Sequence, residues 1–137
     1  MSINSYRELL VWQKGIDLAT DVFRTARALP LRDHIAIGAQ LQKAAVSIPA
    51  NVAEGWARGP GRSYPFFLRV AIGSEAELQT ELEIAIRAGV VDEAIGAPLI
   101  VRTAEVGRML NGLLSAVNYR ELTNSRRRRT HGHGEVP

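Results

Sequence analysis

The chain has 137 residues, no cysteine and a formal net charge of +3. A length of this order suits one domain with a core of its own. The missing thiols exclude disulfides, zinc–thiolate sites, iron–sulfur clusters and cysteine nucleophiles. Residues 1–120 carry 13 Lys+Arg against 12 Asp+Glu, while residues 121–137 carry four Arg against two Glu, so most of the imbalance sits at the C-terminal end. A near-neutral body with a basic tail points to the tail, before the body, as the part that attracts anions.

The opening Met1-Ser2-Ile3-Asn4-Ser5-Tyr6-Arg7-Glu8 has no basic segment followed by an apolar run, so no signal peptide is expected. No apolar stretch is long enough to span a membrane. A cytoplasmic location is the expectation that fits both.

Four helices are predicted, over about 8–29, 34–57, 63–88 and 92–119, and they imply an all-α, antiparallel up-down four-helix bundle over residues 1–120. In the first helix, Leu9, Trp12, Ile16, Ala19, Phe23 and Ala26 recur at bundle spacing and form the expected core stripe. Beside it runs a second stripe, Val11, Gly15, Leu18, Val22 and Leu29. An apolar face wider than one core needs marks an interface, here with further copies of the chain. Pro30 ends this helix and Asp33 is the expected N-cap of the next.

The second helix carries Ile37, Leu41, Ala44, Ile48 and Val52, with Pro49 inside it as the expected site of a kink. Its opposite face holds a polar stripe, Gln40, Lys43, Ser47, Asn51, Glu54 and Arg58. That stripe is read either as a solvated face or as a polar contact with Ser74 and Glu77 of the third helix or with another subunit. Gly59-Pro60-Gly61-Arg62 is a turn, and Ser63 a natural N-cap. Around it, Trp56, Arg58, Arg62 and Tyr64 alternate aromatic and cationic side chains. This pattern suits base stacking with phosphate contact, or the two rings pack across the turn and leave the arginines in water.

In the third helix Leu68, Ala71, Leu78, Leu82 and Ala85 share a stripe with one polar intruder, Glu75, and Gly89 is the expected stop. The fourth carries Ile95, Leu99, Val106, Met109, Leu113 and Val117, with Asp92 and Glu93 at its start. Residues 121–137 have too little apolar surface to bury and are expected to form a basic, disordered tail.

No catalytic residue, metal site or cofactor is assigned. Glu75, Glu77, Glu81 and Glu83 cluster on the third helix without the histidines a di-iron bundle needs, since the body holds only His34. His131 and His133 offer two ligands on a tail, too few for a metal site. The glycines at 55, 59 and 61 lack the Lys-Ser/Thr ending of a phosphate loop, and no Gly-x-Ser-x-Gly elbow occurs. The chain is read as no enzyme.

The run Ala44-Ala45-Val46-Ser47-Ile48-Pro49-Ala50-Asn51-Val52-Ala53-Glu54-Gly55 resembles the signature of the four-helix bundle proteins encoded in 23S rRNA intervening sequences. Leu9-Leu10-Val11-Trp12-Gln13-Lys14 resembles that family's opening, and Gly73-Ser74-Glu75-Ala76-Glu77-Leu78 and Leu82–Gly89 resemble its third helix. The resemblance implies an up-down bundle and a homo-oligomer, with a pentamer as the subunit number. It also implies that Ser47, Pro49, Asn51, Glu54, Gly55, Gly73, Ser74 and Glu77 are structural or interface positions, Pro49 shaping the second helix and Gly73 allowing a close helix approach. A more distant likeness, to the accessory variability proteins of diversity-generating retroelements, implies nucleic-acid binding. The chain departs from the family pattern at Gln42-Lys43, where relatives often carry two basic residues, and at Ile72, where they often carry arginine.

Two functions follow. One is an oligomeric accessory factor that binds RNA or DNA through Arg126, Arg127, Arg128 and Arg129, with Lys43, Arg58 and Arg62 adding charge from the bundle. The other is a protein-interaction scaffold that works through the polar stripe of the second helix or the apolar face of the first.

Overall fold

Proline and glycine cut the chain into four helical rods, and the described residues, 2–132 of a computed structural model, contain no strand. Ser5 opens a 3-10 turn at Tyr6–Glu8, its hydroxyl accepting from the Arg7 N–H at 3.2 Å. Helix α1 follows at Leu10–Arg27. The second rod is continuous: a short α2 (Leu31–Asp33), a π-helical turn (His34–Gly38) and α3 (Ala39–Ala57). Helix α4 is Ser63–Arg87 and α5 is Glu93–His131.

Packed pairs run α1 on α3, α3 on α4, α4 on α5 and α5 back on α1, which closes an antiparallel up-down bundle. The partners set the register. Asp21 of α1 receives Arg102 Nη1 of α5 at 2.7 Å, and Lys14 pairs with Glu105 at 3.0 Å. The core is built from Leu18, Val22, Leu41, Ile48, Val52, Leu68, Leu78, Leu82, Val106 and Leu110, all nearly or wholly closed to solvent.

The core face of α1 draws on both stripes expected of it, and two members of the first, Ile16 and Phe23, turn outward. Val11, Gly15, Leu18 and Val22 face the core, together with Ala19 and Ala26. Ile16 and Phe23 are 38% and 41% exposed. The cause is the contact between α1 and α3: a Cβ on Gly15 would lie 3.4 Å from Pro49 Cβ, so the glycine face is the one that comes closest to the neighbouring helix.

Several expected boundaries also move. Asp33 lies inside the second rod, because Pro30, extended at φ −53°, ψ 149°, starts it earlier. Ser63 is the first residue of α4 and caps nothing. Gly89 ends α4 as expected, at φ +73°. Asp92 caps α5, its Oδ1 accepting from the Ala94 N–H at 3.2 Å. Ile95, expected in the core, is 53% exposed, while Thr103 is wholly buried and donates its hydroxyl proton to the Leu99 carbonyl at 2.7 Å.

The largest difference is at the C-terminal end. Helix α5 does not stop near 119 but runs to His131. A helix already nucleated on a bundle extends at the cost of one residue at a time, and arginine is a good helix former. Arg128, Arg129 and His131 in the last turn suit the negative end of the dipole. The rest of the expected tail, residues 133–137, lies outside the described residues.

Candidate nucleic-acid interface

The aromatic and basic residues singled out in the sequence meet at the end of the bundle where α3 turns into α4. Gly55 makes the meeting possible. A Cβ there would stand 2.9 Å from Phe67 Cβ and 3.0 Å from Tyr64 Cδ2, so only glycine lets the first turn of α4 lie against the last turns of α3. The chain then reverses through Gly59 and Gly61, both at positive φ (+82° and +132°).

Glu121 of α5 holds this turn from the far side. Its Oε1 accepts the Gly61 N–H at 2.9 Å, a contact that joins residues 60 apart in the chain. Between the turn and α5 lies a cleft of about 490 Å³, lined by Trp56, Tyr64, Val117, Arg120, Glu121 and Asn124 among others. Trp56 is backed by Tyr6, whose ring centroid is 6.3 Å away in an edge-on arrangement. Burial pushes the Tyr64 phenol pKa up, and the Arg120 guanidinium opposes that shift. Both rings are packed against the edge of the core. Both contribute to an open cavity with a cation beside it.

The cationic residues divide into engaged and free. Arg58 Nη2 donates to Glu54 Oε1 at 2.9 Å, and its guanidinium lies 4.9 Å from the centroid of Phe67. Arg62 is exposed in the turn. Lys43 is exposed on α3 but lies about 22 Å along the helix from Arg58, at 1.5 Å per residue, and takes no part in this end of the bundle. Arg126, Arg127, Arg128 and Arg129 are exposed on α5, and none of them pairs with a carboxylate of the described residues.

The family-motif residues separate by role. Ser47 and Ser74 bridge α3 and α4 through their hydroxyls at 2.7 Å, with Asn51 behind them. Pro49 is buried against Gly15. Glu54 and Glu77 are exposed, and the polar contact expected of Ser74 and Glu77 involves Ser74 alone. Gly73 allows no close approach: a Cβ there would meet nothing within 4 Å. Glu75, the intruder in the α4 stripe, is half-buried over Gly107, and burial raises its pKa. Glu81 has one oxygen, Oε2, closed off without a hydrogen bond; burial first, and the neighbouring Glu77 second, raise its pKa. Among the described residues no three His, Asp or Glu side chains converge as metal ligands would. No helix among them is long and apolar enough to cross a membrane.

Sequence reasoning missed Arg120, Glu121 and Asn124 as cleft residues, because α5 was expected to end before them. A signal was present: no glycine or proline interrupts the chain between Gly112 and Gly132.

A search of the curated proteins finds no match. A family description does match, that of the 23S rRNA-intervening sequence protein, over residues 7–112. The matched region takes in α1, the second rod with its Ser47–Gly55 signature, α4 and the first half of α5, and leaves the arginine run outside. With most of its length covered in this way, the chain belongs to the 23S rRNA-intervening sequence protein family.

Proposed function

We propose that this is a non-enzymatic, cytoplasmic, oligomeric bundle protein that binds RNA or DNA through the basic end of α5, as an accessory factor. The observation that carries the reading is the position of the four arginines. Glu121 is level with the Gly61 turn, so the helix beyond it extends past the end of the bundle. Arg126–Arg129 follow one to two turns later, about 8–12 Å further at 1.5 Å per residue. Successive helical positions differ by 100°, so the run encircles the rod and offers phosphate contacts on every side. Such contacts hold the backbone and read no sequence. Several copies of the rod on one oligomer, a pentamer by the family resemblance, add avidity to a weak single site. The family membership leaves the activity open, and the likeness to accessory variability proteins lies outside the match.

The test is fluorescence anisotropy with a structured RNA and a duplex DNA, using the full chain and a variant with Arg126, Arg127, Arg128 and Arg129 all changed to alanine. Binding by the full chain should fall with salt, with a slope in log K against log salt of about −3.6 for four phosphate contacts on a duplex, and the variant should lose it. Salt-insensitive binding, or binding that the variant keeps, removes the arginine run from the site.

A second reading, a protein-interaction scaffold, is favoured by one surface. Ile16, Ala19, Phe23, Val46 and Pro49 line an open groove of about 410 Å³ between α1 and α3, rimmed by Arg24 and Arg27. Failure of the full chain to bind either nucleic acid leaves this groove as the working surface. In the first reading it joins copies of the chain to one another.

A further inference from the structure

We infer that the cleft between the α3–α4 turn and α5 receives an unpaired base, so that the nucleic acid this protein prefers is single-stranded. The inference rests on the nucleic-acid reading above and adds a site that neither the arginine run nor the family signature supplies.

Three observations point the same way. The cleft has the size of a small-ligand site and two aromatic rings, Trp56 and Tyr64, in its lining. A duplex keeps its bases stacked inside and cannot offer a ring to such a cavity, whereas a single strand can. The polar lining is sparse and suited to a base: Arg120 and Asn124 at one wall supply donors, while Ala57, Pro60 and Val117 are apolar.

The third observation is the register of α5. Val117, Arg120, Glu121 and Asn124 are the positions that face the cleft. Three and four residues on, the same helix face presents Arg127 and Arg128, which are exposed. They stand about 5–6 Å further along the rod than Asn124, at 1.5 Å per residue. A strand with one base in the cleft therefore has cations waiting for the phosphates that flank it. Glu121, the one acid in the lining, is occupied with the Gly61 N–H and acts as a positioning residue that keeps the cleft open at a set width.

The chain has two tryptophans, Trp12 and Trp56, so the full chain carrying Trp12→Phe reports on Trp56 alone. In that background an oligouridine or oligothymidine strand and a duplex of the same length are titrated, with anisotropy and tryptophan emission read together. Ala57→Leu narrows the cleft from an exposed helical position outside the core. The expected result is single-strand binding about 10-fold tighter than duplex binding, the gain of one stacked base, with Trp56 emission quenched. Ala57→Leu should abolish both the advantage and the quenching, and leave duplex binding as it was. Equal affinity for the two nucleic acids, or a single-strand preference that neither quenches Trp56 nor responds to Ala57→Leu, overturns the cleft while the arginine run still stands. Loss of all binding to both nucleic acids in the unsubstituted chain overturns the cleft and the nucleic-acid reading together.

Discussion

Ser47 on α3 and Ser74 on α4 share a hydrogen bond of 2.7 Å between their hydroxyl oxygens, and Asn51 fixes its surroundings. Asn51 Nδ2 donates both to the Ser47 carbonyl at 2.7 Å and to Ser47 Oγ at 2.9 Å. Because a carbonyl only accepts, the amide must face Ser47 with its nitrogen. Ser47 Oγ then takes one proton from Asn51, and its own is available to Ser74. A polar contact of this kind, set between apolar residues of two helices, fixes their register more than it stabilises them. Changing each serine to alanine, singly and together, should show a coupling of about 1 kcal/mol in urea unfolding. Additive losses would mean that the two hydroxyls do not depend on each other.

Two glycines of the family signature should respond to alanine with opposite signs. At Gly55 the new methyl meets Phe67 Cβ at 2.9 Å, which is fixed to the backbone of α4 and cannot swing away. Gly55→Ala should lower stability by about 1–3 kcal/mol, the usual cost of overpacking. At Gly73 the methyl meets nothing, and the residue is exposed in mid-helix. Gly73→Ala should raise stability by about 0.5–1 kcal/mol, since alanine holds a helix better than glycine. Thermal melts of the two variants beside the parent decide both.

Glu75 should make the bundle more stable in mild acid. Burial raises its pKa in the folded chain above the ordinary value of 4.5. The folded state then binds the proton more tightly than the unfolded state, so this group's contribution is complete below the ordinary carboxylate range and is lost as the pH rises through the raised value. Glu75→Gln should be more stable than the parent at neutral pH, with the difference shrinking as the pH falls toward 4.5. Melting temperatures of parent and variant across that interval measure it. A pH-independent difference would mean that the carboxylate charge is not its source, since the amide oxygen of Glu75→Gln can still accept from Gln79 Nε2.

Phe23 and Ile16 should control assembly without affecting folding. Both are exposed in the α1–α3 groove, with Val46 beside them at 48% exposure. An apolar surface of this kind, continuous across two helices, is expected to be covered by a second copy. Sedimentation of the full chain should give a multiple of the 15.0 kDa chain mass, and Phe23→Asp should reduce it toward a single chain with an unchanged helical spectrum. A parent that sediments as a monomer at micromolar concentration would leave the groove to another partner.

The helices and most of the core were legible in the residues alone. Leu41, Ile48, Val52, Leu68, Leu78 and Leu82 recur at helical spacing on one face each, and a face of that kind has only the bundle interior to go to. Where a helix offers two apolar faces, periodicity cannot choose between them. In α1 the choice fell to the approach of Gly15 and Pro49, residues on different helices that meet only when the bundle is assembled. The length of α5 has the same origin: residues 121–131 bury too little to hold a helix on their own, yet they extend one that the bundle has already nucleated. The candidate site followed in part. Trp56, Arg58, Arg62 and Tyr64 lie close in the chain and could be read as a group, whereas Arg120 and Glu121 reach them only through the packing of α5 against the α3–α4 turn. The sequence by itself determined how many helical rods form and, in helices with one apolar face, most of the leucines, isoleucines and valines that leave water, because there local spacing fixes the buried side. The tertiary structure alone decided which face of α1 stays exposed and where the cleft opens, because both depend on the distance between segments far apart in the chain.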